Sequence, residues 1–226
     1  MISTRFESIF LHAPKTAGTS IGLALNKDIP QTGESLGKLL RSQNPGLPHH
    51  ASLREVRQYM EEGSKLDLFN SFFKFTFVRN PFSQLYSFFN FHAKRMPSQG
   101  LSSVFIFEGG FEDFLCNLDG CKLSLGQIRN KSEKGIMNAQ GVFGEIFQKQ
   151  YAYIDGNLGV DFIGRFESLQ ADFNIIAKIL NISNSLPRAY CPDGKRPPYW
   201  QHYSTKSREI AENLLKEDLE IFSYCF

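Results

Sequence analysis

The sequence lacks any apolar run approaching the ~20 residues of a membrane-spanning helix, and it lacks a Cys-x-x-Cys pair. Its 4 cysteines, Cys116, Cys121, Cys191 and Cys225, are scattered. A thiolate zinc site or a dithiol redox centre therefore has no support, and reduced thiols are expected. The opening segment MISTRFESIFLHAPK has neither the long apolar stretch nor the small-residue cleavage site of a secretory signal. A cytoplasmic location is the expectation. Charge of one sign is also missing: 25 Lys plus Arg face 23 Asp plus Glu, a net charge of +2. Bulk attraction to a polyanion is thus not implied. No basic stripe is interleaved with aromatics, so nucleic acid is not an expected partner. Internal repeats and low-complexity tails are absent as well.

What the chain does have is phenylalanine, 22 of them in 226 residues, against 1 Trp and 4 Met. That length fits one α/β domain with a sizeable core. Ser8 to His12 reads as a short buried strand, followed by a Pro/Gly-bearing loop and a helix carrying Ile21, Leu23, Ala24 and Leu25. Residues 27–50 read as loop, with a short helix around Leu36 to Leu40. Ser52 and Glu55 have capping-box spacing, with Val56 and Tyr59 or Met60 facing inward. Phe72 to Val78 is the second strand, and Pro81 stands where a first helical turn accepts proline. Phe111 to Leu115 reads as a short helix, Val160 to Gly164 as a third strand, and 167–180 as a helix. A last helix starts near Ser204 or Thr205 and runs through Phe222. Strands alternating with helices predict an α/β domain with a central parallel β-sheet flanked by helices.

Two segments carry anion chemistry. Pro14-Lys15-Thr16-Ala17-Gly18-Thr19-Ser20 joins a strand to a helix. Gly18 permits a backbone conformation denied to other residues. The helix start offers unpaired N–H groups and a positive dipole end, which cradle phosphate or sulfate. Lys15 adds a charge and the hydroxyls of Thr16, Thr19 and Ser20 add donors. This is not a Walker A loop, because Lys15 precedes Gly18 and no strand ends in a clear magnesium-binding Asp. The second segment places Arg79 at a strand's C-terminal end, where open parallel sheets bind ligands. A guanidinium matches phosphate bidentately. Ser87 follows two helical turns later, and a bend at Asn80-Pro81 would bring both onto one anion. Two such sites in one small domain predict a ligand with two separated phosphates.

These segments resemble the PAPS-dependent sulfotransferase superfamily, most closely the Golgi-type carbohydrate sulfotransferases and their soluble bacterial relatives. The matching stretches are FLHAPKTAGTS at 10–20 and FKFTFVRNPFSQLYSFF at 73–89. Weaker ones are DFIGRFESLQADF at 161–173 and REIAENLLKEDLEIFSYCF at 208–226. The resemblance thus spans nearly the whole chain and implies a single sulfotransferase domain over 1–226 with a P-loop-like three-layer α/β fold. It implies that Lys15, Thr16, Ala17, Gly18, Thr19 and Ser20 hold the 5′-phosphosulfate side of 3′-phosphoadenosine 5′-phosphosulfate (PAPS). It implies that Arg79 and Ser87, eight residues apart as in the family, hold the 3′-phosphate. Arg165 matches a family arginine in the GRFE stretch. The resemblance implies Lys195 or Arg196 as the counterpart of a basic residue in a late loop that closes on the nucleotide, although this chain has Pro197-Pro198 and no glycine-rich loop there.

Sulfuryl transfer calls for an acceptor hydroxyl in line and a group that takes its proton; no metal is required. Histidine is the natural base, since it titrates nearest neutral pH. The family places a catalytic His just before a helix such as the one starting at Ser52. His50 is the first choice there and His49 the second, while His12 reads as a structural histidine of a buried strand. His92, one turn after Ser87, could line a cleft, and His202 reads as surface. The implied acceptor is a carbohydrate or glycolipid hydroxyl. Two other readings remain at this point. One is a P-loop kinase-like phosphotransferase, which would need magnesium. The other is a non-catalytic nucleotide- or carbohydrate-binding module.

Overall fold

Four consecutive apolar-flanked residues without an exposed face have to pair their backbone inside a sheet. Ser8–Leu11 does so, as a fully buried strand. The computed structural model describes residues 1–25, 44–92, 110–120, 144–183, 186–187 and 197–226. In chain order the elements are β1 (Ile2–Ser3), β2 (Ser8–Leu11), α1 (Gly18–Leu25), α2 (Leu53–Glu62), α3 (Leu66–Ser71), β3 (Phe73–Val78), α4 (Pro81–Asn90) and α5 (Gly110–Gly120). They continue with α6 (Lys149–Ala152), β4 (Tyr153–Ile154), β5 (Asn157–Leu158), β6 (Phe162–Arg165), α7 (Leu169–Ile179), α8 (Thr205–Leu214) and α9 (Lys216–Ile221). These fall into two units. One comprises Met1–Arg79 with Gln148–Asp193, the other Asn80–Phe147 with Gly194–Phe226.

The first unit holds a sheet of order β1-β2-β3-β6. β2 and β3 run parallel in the register Phe10↔Phe75 and Leu11↔Thr76. β3 and β6 run parallel with Phe77↔Gly164 and Val78↔Arg165. The edge strand β1 is antiparallel to β2, through Ile2↔Ile9. The sheet is therefore mixed rather than wholly parallel. β1 is two residues long and carries no periodicity, so only its pairing reveals it.

Alternation along β3 sorts the faces. Phe75 and Phe77, with Phe10 of β2, are buried against Ile21, Ala24 and Leu25 of α1 and Phe173 and Ile176 of α7. Each such Phe contributes about 2–3 kcal/mol by burial. On the other side α6 packs against β3, and α2 packs on α6. α2 buries Leu53, Val56 and Met60, while Tyr59 stays half-exposed. Helix, sheet and helix thus form the three layers. Gly164 is required by a close approach: a methyl group there would lie 2.4 Å from Phe77 Cε1.

The second unit is helical. Phe82, Leu85, Phe88 and Phe89 of α4 pack with Phe111, Phe114 and Leu115 of α5 and with Ala211 and Leu215. α4 begins at Pro81, and the Asn80 side chain caps it by accepting from Phe82 N at 3.1 Å and Ser83 N at 3.4 Å. Tyr203 donates its hydroxyl to Phe82 O at 2.9 Å. Burial, with the Tyr199 hydroxyl nearby, pushes the Tyr203 pKa far up, so it stays a neutral donor. The last helix is two: α8 starts from the Ser204 capping box, and Leu215 ends it at φ −102 and ψ 10 before α9 begins. Among the described residues no helix is long and apolar enough to cross a membrane. Cys116 and Cys225 are free thiols; Cys121 and Cys191 lie outside the described residues, as does the helix read around 36–40.

Candidate active site

The loop after β2 is shaped by strain at unexpected positions. Lys15 and Ala17 adopt left-handed backbone, φ 64 and 69, the region that favours glycine. Gly18 does not; its lack of a side chain serves packing instead. A methyl group on Gly18 would lie 1.8 Å from both Cδ2 and Nε2 of His12. Thr16 is fully buried, and its hydroxyl donates to Ala13 O at 2.8 Å, which fixes the turn from inside. Thr19 is exposed and Ser20 half-buried. Left-handed residues leading into a helix turn successive N–H groups toward one concavity, and the first amides of α1 have no acceptor within the helix. The arrangement fits the anionic end of a nucleotide.

Beside the loop lie three imidazoles. His12, His49 and His50 have ring centroids 4.7, 4.5 and 4.6 Å apart pairwise. His12 is buried and stacks on Phe10 at 5.6 Å; His49 and His50 are half-buried. Burial, reinforced by His50, His49 and Lys15, holds the His12 pKa well below its ordinary value. His50 Nδ1 lies 2.9 Å from His12 O. A carbonyl only accepts, so Nδ1 carries a proton, and in the neutral ring Nε2 holds the lone pair. Two residues on, Ser52 N donates to Glu55 Oε2 at 2.7 Å and Glu55 N donates to Ser52 Oγ at 3.3 Å, closing the capping box. His50 O accepts from the Tyr151 hydroxyl at 3.4 Å.

Arg79 stands at the end of β3, next to the β2 end that carries the loop. Its guanidinium donates to Lys15 O at 3.1 Å and lies 4.2 Å from the Phe166 ring centre. Gln148, fully buried, clamps the Arg79 backbone from both sides: Arg79 N donates to Oε1 at 2.6 Å, and Nε2 donates to Arg79 O at 2.8 Å. Sequence reasoning missed Gln148 and Phe166. A lone glutamine carries no spacing signal, and Phe166 disappears among the other phenylalanines.

The structure therefore brings together Lys15 with its loop, Arg79, His49 and His50, and adds His12. Arg165 is exposed at the end of β6, with its backbone N donating to Asp172 Oδ2 at 2.6 Å. Ser87 is half-buried on α4 in the second unit. In that unit His92 lies 4.3 Å from the Phe88 ring centre, and His202 stacks on Tyr86 at 4.2 Å. Lys195 and Arg196 lie outside the described residues.

A mixed sheet covered by helices on both faces, with a lysine-bearing strand–loop–helix at one strand end, is the three-layer architecture of a sulfotransferase-like α/β protein. The model of the Sulfotransferase family matches residues 1–225, and the chain belongs to that family. It is a sulfotransferase that uses PAPS as its donor. No curated protein and no solved structure matches it.

Proposed function

We propose that the enzyme moves the sulfuryl group of PAPS to a carbohydrate or glycolipid hydroxyl, with His50 as general base, in a single cytoplasmic domain. The observation that carries this reading is the His50 Nδ1 contact to His12 O beside the lysine loop. It gives one imidazole a fixed tautomer with its basic nitrogen on the other edge. His50 Nε2 takes the acceptor proton as the hydroxyl oxygen bonds to sulfur. The bond from sulfur to the 5′-phosphate oxygen breaks, and Lys15 with the amides of Gly18 and Thr19 meets the charge that develops there. Ala17, Thr16 and Ser20 complete the cradle, Thr16 by shaping it. Arg79 and Ser87 hold the 3′-phosphate, while Arg165, Lys195 and Arg196 add positive charge around the nucleotide. His49 is the alternative base.

The donor half is tested by calorimetric titration with adenosine 3′,5′-bisphosphate. The acceptor half is tested by screening oligosaccharide and glycolipid hydroxyls with labelled donor. Transfer to phenolic or peptide hydroxyls alone overturns the carbohydrate assignment.

A further inference from the structure

We propose that His12, His49 and His50 form a three-imidazole site for zinc(II), and that zinc held there switches transfer off. The candidate ligand nitrogens, one from each residue, all lie within 4.8 Å of one another. The rings meet at 87°, 61° and 66°, edge toward face rather than stacked, so modest ring rotations aim the three at one point. Zn–N bonds of about 2.0–2.1 Å in a tetrahedron put ligand nitrogens roughly 3.4 Å apart. The triangle has to contract only by side-chain turns of the half-buried His49 and His50. His12 is the fixed corner, held between Phe10 and the bare backbone of Gly18.

Two features prepare the site. His50 presents Nδ1 to a backbone carbonyl, the arrangement that orients metal-binding imidazoles and raises their basicity. Burial keeps His12 in the neutral form that ligates. The donor set selects the ion. Three neutral imidazoles, with no carboxylate in the cluster among the described residues, suit zinc, copper or nickel and give magnesium or calcium nothing to hold. Lys15, whose charge reaches His12, further disfavours weakly bound cations. Three protein ligands leave the fourth position of zinc to water. The inhibitory half rests on the reading of His50 as base: a lone pair given to zinc cannot take a proton. The cation is thus an inhibitor and not a cofactor.

The test uses the full chain stripped with chelator, then titrated with zinc chloride by calorimetry and with cobalt(II) by visible absorption. One zinc per chain and the intense spectrum of tetrahedral cobalt are expected. His49→Ala, checked for folding by circular dichroism, should weaken binding by at least the roughly 10–100-fold that loss of an outer-shell partner costs, and His12→Gln should do the same if it folds. Equal affinity in the wild type and His49→Ala, or a cobalt spectrum that stays octahedral, overturns the site. Transfer that persists at saturating zinc overturns the inhibitory half. No zinc binding by the wild type, together with loss of transfer in His50→Ala, overturns the metal site and leaves the base standing. Zinc binding by the wild type, together with full transfer in His50→Ala, overturns the base and leaves the metal site standing.

Discussion

The imidazole of His12 fills the space that a side chain on Gly18 would need: a methyl group there would lie 1.8 Å from two of its ring atoms. Strand end and helix start are therefore matched by shape. Gly18→Ala should push His12 from its place, costing about 1–3 kcal/mol by overpacking. Transfer should fall with it. Its neighbour should behave oppositely. Ala17 holds φ 69, at a cost of roughly 1 kcal/mol, so Ala17→Gly should leave the melting temperature equal or higher. Thermal unfolding of the two variants checks both. A Gly18→Ala protein as stable as the wild type would disprove the shape argument.

Arg79 combines a hydrogen bond to Lys15 O with a stack on Phe166. Arg79→Lys keeps the charge and loses the planar fork that does both. Affinity for adenosine 3′,5′-bisphosphate should drop by about tenfold or more, corresponding to roughly 1.4 kcal/mol. Unchanged affinity by calorimetry would move the 3′-phosphate site elsewhere.

Gln148 satisfies both backbone groups of Arg79 from a fully buried position. Gln148→Ala orphans an N–H and a C=O near the strand end, each worth about 1–3 kcal/mol when unmet. Denaturant unfolding should show that loss, and nucleotide affinity should fall alongside. Stability within about 0.5 kcal/mol of wild type would mean that water replaces the amide.

His12 gives stability a pH dependence. Its native pKa is depressed below the ordinary 6.5, first by burial and then by His50, His49 and Lys15. The unfolded chain therefore binds the proton more readily, and stability rises with pH wherever it does so. The contribution is full above 6.5 and is lost as pH falls from there toward the native value. In chelator-containing buffer, His12→Gln should flatten the pH dependence of unfolding between about pH 5 and 6.5. An unchanged slope would assign it to other groups.

Lys15→Ala and His50→Ala should separate binding from proton removal. The first should abolish transfer with little change in fold. The second should lower turnover about 10²–10⁴-fold while nucleotide affinity stays near wild type. Normal turnover in His50→Ala, with loss in His49→Ala, would exchange their roles.

The elements that position the site were legible because their signals are local. β2, β3 and the Ser52 cap follow from buried runs and from one Ser–Glu spacing, and Pro81 marks the start of α4. Contacts across the fold were not. Nothing near Gln148 in sequence reveals that it clamps Arg79, |i−j| = 69. Gly18 looked like a conformational glycine because the loop does contain left-handed residues, but they are Lys15 and Ala17. His12 read as a structural histidine, and it is buried; only the fold sets it against His49 and His50. The break at Leu215 interrupts an apolar period that continues through it.

The capping box at Ser52 has a bearing on the order of folding. His50 meets His12 across 38 residues of chain, whereas Ser52 and Glu55 satisfy each other within one helical turn. The strand of the N-terminal strand–loop–helix has to wait for β3, 65 residues on, and the candidate base reaches the loop once α2 has nucleated and docked. Closing contacts of long separation comes late and slowly. The Arg79 contact to Lys15 O closes a longer loop still, 64 residues, so on refolding nucleotide binding and turnover should recover together, once β3 has paired with β2.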